Sequence, residues 1–397
     1  MKTIGRVLLI ICDTSWMHAH LAASWRMTGA TVAVEHFGST MGRGWDAAGA
    51  REHRERNARW RRVASDMAAA GGLDLVFMVA LDDVLEDDTL IHLRKLGAKL
   101  VLYHVDMLSQ WYRSIRSSRF MDLVCCASAD HVGFFAKRGI RTLRLGFGAI
   151  PSAGGGEADL ASPMTFDGVL YLGSPWPYRQ RMLQQIVRNG IPLRIYGTNW
   201  HAERPWPATP GARRKFAHDL RAYLLPRLRE EGWPLVRELA RRCRGGNDPA
   251  TVNAAAFPDG VICGQYGVHE FAALVRGAAI NIGFTQMHAD PSCEQPRQLR
   301  LRDFEIPACG GFYLAQWCPE LPLYYEIGRE IAVWDSAADV VERIRYYLER
   351  PDERAAIASA GRRRVERNHT WLHRFEAVAQ ALGMALPVQV QAEPSVA

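Results

Sequence analysis

Lysine is scarce. Only five lysines stand in 397 residues (Lys2, Lys95, Lys99, Lys137 and Lys215), so arginine carries nearly all the cationic charge. Long hydrophobic runs are missing: none approaches the roughly 18 residues that would cross a membrane. The apolar run from Val7 to Cys12 stops at Asp13, too short for a signal sequence and suited to a strand. The eight cysteines (Cys12, Cys125, Cys126, Cys243, Cys263, Cys293, Cys309 and Cys318) make no C-x-x-C pair. That argues against a zinc site or disulfide framework and for reduced, buried thiols. No short-period repeat is present. No acidic D-x-D pair stands at an evident strand end, and Asp82-Asp83 and Asp87-Asp88 read as helix-start, solvent-facing acids. The expectation is a soluble, cytoplasmic protein.

The chain is 48% hydrophobic and 23% charged, enough apolar material for two ordinary domains. Its net charge of +7 and pI of about 9.1 suit an anionic ligand, a membrane surface or nucleic acid. An arginine-rich composition with a phosphate-binding cleft accounts for most of that. Nucleic acid is not expected, since no motif interleaves aromatic and basic residues. Peripheral membrane contact stays open.

Strand and helix alternate over residues 1–150. Strands are expected at Val7 to Cys12, Thr31 to Phe37, Leu73 to Ala80, Ala98 to His104, Leu123 to Ser128 and Thr142 to Phe147. Apolar strands separated by helices predict a parallel sheet covered on both faces. Residues 151–165, rich in Gly, Ala and Pro, read as a linker. The alternation restarts at Val169 and runs over 166–360. It is broken at 199–245 by a helical excursion, rich in Arg and Trp, expected to belong to the second domain and to pack its apolar residues there. A last helical run from about Pro351 to Leu382 is expected to break near Asn368-His369, with 361–385 the C-terminal helix and 386–397 a disordered tail. The fold class is α/β, with two Rossmann-like, doubly wound parallel-sheet domains facing across a cleft.

One stretch organises the second half: Arg302-Asp303-Phe304-Glu305-Ile306-Pro307-Ala308-Cys309-Gly310-Gly311-Phe312. Leu301, Phe304 and Ala308 share a helix face, Arg302 and Glu305 are i,i+3 neighbours, and Gly310-Gly311 ends the helix before a strand. A carboxylate can accept from both hydroxyls of a ribose. Arg297, Arg300 and Arg302 could neutralise a pyrophosphate, with the helix N-terminus assisting. The plain alternative is a surface ion pair. Gly173-Ser174, with Arg179 just beyond, could let backbone approach a phosphate, or could be a structural turn. In the first half, Asp13, His18 and His20 follow the first strand, and His104 and Asp106 end the fourth, at the edge where open α/β sheets bind ligands. Each lone histidine also has a packing reading.

The run Arg302 to Gly311 resembles the R-x-F-E-I-P-A-C-G-G signature of CgeB-like glycosyltransferases, within the group-1 glycosyltransferases of GT-B fold. The resemblance extends through Tyr171-Leu172-Gly173, Leu193 to Gly197, Pro319-Glu320-Leu321 and Ala337 to Arg350, and from Ala360-Gly361 to His369-Thr370. It implies transfer of a sugar from a nucleotide-sugar donor to a glycan, protein or small-molecule acceptor, with neither metal nor other cofactor, and a C-terminal helix crossing back to the first domain. Glu305 matches the later glutamate of the Glu-x7-Glu motif, while Arg297 occupies the earlier position. Donor contacts are expected from Glu305, Arg302, Gly173, Ser174, Arg179, Tyr196, Gly197, Val268, Gly310 and Gly311, acceptor contacts from Asp13 and His18, and catalytic roles from Asp106, His104 and Arg297. The alternatives are a nucleotide-sugar epimerase or hydrolase of the same fold, and a non-catalytic nucleotide- or glycan-binding protein.

Overall fold

The structure is a computed structural model that describes residues 1–38, 45–105, 111–150, 165–200, 212–233, 235–237, 240, 257–286 and 297–388. These group into two compact units. The first holds Met1–Leu145, the described part of Arg204–Pro249, and Phe375 onward; the second holds Gly146–Glu203 and Ala250–Arg374 as far as described.

After a two-residue strand, β1 (Lys2–Thr3), the first unit builds one six-stranded sheet from β2 (Arg6–Cys12), β3 (Thr31–Phe37), β4 (Leu75–Met78), β5 (Lys99–His104), β6 (Leu123–Cys126) and β7 (Thr142–Arg144). All pairs are parallel, in the order β3-β2-β4-β5-β6-β7. In β2 every residue but Arg6 is buried, as a strand covered on both faces requires. The helix Ala47–Ala69 starts where the Asp46 carboxylate accepts the Gly49 N–H at 2.7 Å. Trp25 stacks on Phe375 at 4.0 Å, and Phe77 meets both rings edge-on.

The second unit repeats the plan with β8 (Phe166–Leu172), β9 (Leu193–Tyr196), β10 (Ile262–Gly264), β11 (Ala278–Ile282), β12 (Tyr313–Gln316) and β13 (Ala332–Trp334), again all parallel, in the order β10-β9-β8-β11-β12-β13. Its order reverses direction between β8 and β11, and that of the first unit between β2 and β4. Ligands of such sheets bind at the carboxyl ends beside these reversals.

The break expected near Asn368-His369 parts two helices, Pro351–Asn368 and Trp371–Ala381. Three expectations need correction. The excursion expected of the second domain groups with the first, because His218 and Tyr223 bond to Asp83. Asp82 and Asp83 are not solvent-facing but buried, at 7% and 4% exposure. The chain also stays ordered past 385: β14 (Met384–Ala385) pairs in parallel with β1, and the Val388 N–H donates to Thr28 O at 3.1 Å. Among the described cysteines Cys12, Cys125, Cys126 and Cys318 are buried, whereas Cys263 is exposed. No helix of the described residues is long and apolar enough to cross a membrane.

Two histidines are locked in the cores. His104 stacks on Phe135 with ring centroids 5.9 Å apart, and burial, with His131 nearby, lowers its pKa to about 3. His369 bonds Tyr324 O at 2.8 Å, and burial, then Arg374, likewise lowers it to about 3. The unfolded chain protonates both near pH 6.5, the folded chain only near 3, so stability is full at neutral pH and lost as pH falls through that window. Each contributes up to about 1.4 kcal/mol per pH unit. Asp303, raised to about 6 by burial, works in the opposite sense between roughly pH 4 and 6. Urea midpoints should therefore drop between pH 7 and pH 5, and His104→Phe should drop less steeply than wild type.

Candidate active site

The carboxyl ends of the second sheet converge on backbone with little room for side chains. Gly173 follows β8 and Gly197 follows β9. The Gly173 N–H donates to Tyr196 O at 2.9 Å, and the Gly197 N–H to Gly264 O at 2.8 Å. A Cβ on Gly197 would collide with Gly173 O, and one on Gly173 would collide with the Tyr171 hydroxyl. Gly197 is thus demanded by close approach of a neighbouring strand end, whereas the contact at Gly173 is with the end of a side chain. Trp200 Nε1 closes the corner by donating to Gly173 O at 2.8 Å. The Arg179 guanidinium donates to Tyr171 Oη at 3.1 Å and Ser174 O at 3.4 Å, so it braces the Gly173-Ser174 turn.

Glu305 and Arg302 lie on the helix Arg302–Ala308. Glu305 is 8% exposed and pairs with Arg302. Arg302 also donates to the Tyr266 hydroxyl and lies over the Phe271 ring at 4.7 Å. Burial would pull the Arg302 guanidinium down, but Glu305 and Tyr266 more than offset it and hold it above its usual value. Tyr196 meets Tyr266 edge-on at 6.4 Å. Burial raises both phenols, so they stay neutral donors. The result is a carboxylate–guanidinium pair walled by three aromatic rings, more buried than a surface pair. Val268 opens the short turn Val268–Glu270 just beyond Tyr266.

Asp303, not singled out by its sequence position, anchors this helix. It is fully buried, accepting the Tyr313 hydroxyl at 2.7 Å and the Arg300 N–H at 2.5 Å, while its carbonyl accepts the Tyr325 hydroxyl at 2.7 Å. Gly310 and Gly311 do not fit the expected donor contact. They precede β12 and so lie at its amino end, opposite the ligand edge. Gly310 takes φ +77° to stop the helix, and a Cβ on Gly311 would strike Val275.

A second polar group, which the sequence did not signal, gathers at the ends of β11 to β13. Gln316 is fully buried: Oε1 accepts the Thr285 and Gln286 N–H groups at 3.2 and 3.1 Å, and Nε2 donates to the Tyr178 hydroxyl at 2.9 Å. Arg297 donates to Trp317 O at 3.0 Å and pairs with the exposed Asp335.

In the first unit, Asp13 follows β2 and its carboxylate meets His18 Nε2 at 3.2 Å, with both side chains substantially exposed. At the end of β4, Asp82 and Asp83 border a cleft of about 740 Å³ shared with His53, Arg116, His218 and Tyr223. The catalytic role expected of His104 does not fit its position: it is 4% exposed, and burial leaves the imidazole too weakly basic to take up a proton until about pH 3. Asp106 lies outside the described residues. Among those residues no cluster of three or more His, Cys, Asp or Glu could hold a metal ion.

Residues 229–380 match the family model described as "Glycosyl transferase-like". No curated protein sequence matches the chain. Among solved structures, HepE of Anabaena in complex with UDP and glucose superposes with TM-score 0.55 at 14% identity, covering 95% of this chain and 99% of that one. The same protein in complex with UDP-glucose gives TM-score 0.53 at 13% identity, covering 95% and 99%. This likeness establishes the fold, the tandem Rossmann-like architecture called GT-B, and the match to the glycosyl transferase-like model is carried by residues 229–380.

Arg302→Ala removes the guanidinium that pairs with the buried Glu305 carboxylate. It should lower the stability of the second unit by about 3 kcal/mol, read from urea unfolding, whereas Glu305→Gln should cost much less.

Proposed function

We propose that the chain transfers a sugar from a nucleotide-sugar, with uridine diphosphate sugars the first donors to test, and that it is CgeB-like within the GT-B glycosyltransferases. The observation that carries this is the buried Arg302–Glu305 pair against Tyr196, Tyr266 and Phe271. A carboxylate such as Glu305 can accept from both vicinal ribose hydroxyls, and the rings supply a face for a base. The Gly173-Ser174 turn braced by Arg179 offers backbone to the diphosphate. Arg297, at the carboxyl edge beside Tyr178 and Gln316, is a cation available to the departing phosphate. UDP and UDP-glucose in HepE favour the uridine series. The CgeB-like subtype rests on the run from Arg302 to Gly311.

On the acceptor side, the Asp13–His18 pair supplies a base whose imidazole is oriented by a carboxylate, and Asp106 stays a candidate beside it. Inversion would use such a base; retention would let the diphosphate assist. Charge stabilisation by arginine makes a metal unnecessary, so EDTA should leave turnover unchanged. The observation favouring a non-catalytic reading is Arg297, a cation tied to Trp317 O and Asp335 at the position of the earlier motif glutamate.

In a thermal-shift titration UDP should raise the midpoint by mass action. Glu305→Ala should weaken binding about tenfold to a hundredfold, the worth of charge-assisted hydrogen bonds. Unchanged affinity would place the nucleotide elsewhere. Release of sugar at the same rate without any acceptor would make the protein a hydrolase.

A further inference from the structure

The run Ala212–Asp219, Leu220–Leu224 and Leu225–Glu231 is one continuous helical rod with a widened π turn in its middle. It packs on the first unit by its polar side. Lys215 pairs with Asp219, His218 Nε2 reaches Asp83 at 3.0 Å, Tyr223 donates to Asp83 at 2.5 Å, and Arg227 lies 4.8 Å over the Tyr112 ring. Tyr223 and Arg227, four residues apart, share this inward side.

The line one residue further on is apolar, and its Phe216, Leu220 and Leu224 also border the groove that the rod makes with Tyr112 and Arg113. Phe216 is 69% exposed, Leu225 43% and Leu228 38%, with Leu220 and Leu224 half-buried between them. A regular α-helix would let positions 216 and 228 drift roughly 120° apart. The π turn takes back most of that drift and returns Leu228 to the side of Phe216. Pro226 lacks the N–H that a regular turn would send back to residue 222, so the widened turn has a local cause. Trp233, two residues past the rod, is 64% exposed. Arg213, Arg214, Arg221 and Arg229 are exposed on the same rod. A surface helix usually buries its apolar stripe, whereas here Phe216, Leu225 and Leu228 stand exposed beside these arginines.

We propose that this rod docks the enzyme on the surface of a bilayer carrying anionic lipid. The apolar stripe enters the headgroup boundary, as interfacial helices do. Trp233 has the amphipathic ring favoured at that depth. The arginines lay their stems along the stripe and keep their guanidiniums among lipid phosphates. Charge complementarity selects a membrane over a second copy of this chain, which carries the same cations. The inference does not depend on the donor chemistry.

The test floats the full chain with vesicles of phosphatidylcholine alone and with about 30 mol% phosphatidylglycerol added, in about 100 mM salt. Wild type should rise with the anionic vesicles and bind the neutral ones at least tenfold less. Phe216→Ser with Leu228→Ser should cut binding at least tenfold at an unchanged thermal midpoint. Arg221→Glu with Arg229→Glu, which spares the stripe, should remove about fivefold per charge lost. Absence of binding to either vesicle, or variants that bind like wild type, would overturn the proposal. So would a wild-type dimer in sedimentation that the serine pair disperses, since a second copy would then cover the stripe.

Discussion

Both sheets are parallel and covered on both faces, and that constraint dictates where chemistry can stand. A strand such as β2 has no polar side to offer, since all but its first residue are buried. Polar groups are displaced to strand ends, and the connections lift the next helix off the carboxyl edge. In the second unit three successive ends are glycine: Gly173, Gly197 and Gly283. At each, an added Cβ would collide with a neighbouring strand end or a tyrosine hydroxyl. The edge is therefore narrow, backbone-rich and fixed before any ligand arrives.

What polar groups remain inside are held by donors matched to their charge. Asp83 and Asp303 show two outcomes of one conflict. Burial raises both. At Asp83 the Tyr223 hydroxyl and the Arg113 guanidinium, with His218, more than reverse the rise, and the carboxylate stays below its usual value. At Asp303 the Arg300 N–H and Tyr313 hydroxyl fall short, and it stays near 6. Asp83 is thus a standing anion that holds the excursion on the first unit. Asp303 is a neutralisable staple that fixes the Arg302–Ala308 helix against β12. One serves attachment and the other positions the motif, and neither needs to touch substrate.

The strands were legible because uninterrupted apolar runs bounded by glycine and polar residues admit few other readings. The Arg302–Ala308 helix was legible from its apolar spacing and its glycine stop. Periodicity, however, says that a segment is helical without saying which unit it packs on, so the excursion was assigned to the wrong one. Asp82 and Asp83 looked like helix-start acids because their partners, Arg113, Arg116, Ser117 and Tyr223, stand 30 or more residues away. The roles assigned to His104 and Gly310-Gly311 came from nearness in sequence to a strand end or a motif. In space, one residue is core and the others sit at the opposite edge. The Tyr178–Gln316 network left no signal, since a single glutamine closing an apolar strand resembles a solvated end. The β1–β14 pair is too short for any pattern.

On the proposed reading, Arg297 at the earlier motif position redistributes work within the site. A carboxylate at the earlier motif position can accept sugar hydroxyls and repels phosphate; a guanidinium does the reverse. Arg297 is held by Trp317 O and Asp335, but Asp335 is 63% exposed at its side chain, so their pair is screened and competes weakly with an arriving dianion. On the proposed reading the cation belongs to the leaving diphosphate, where charge grows as the glycosidic bond breaks. Sugar hydroxyls are then left to neutral groups at the same edge. Gln316 and Tyr178 are present there, one amide and one phenol already fixed to each other. Neutral partners distinguish hydroxyl geometry without binding one strongly, so such a site selects its sugar by shape and its nucleotide by charge.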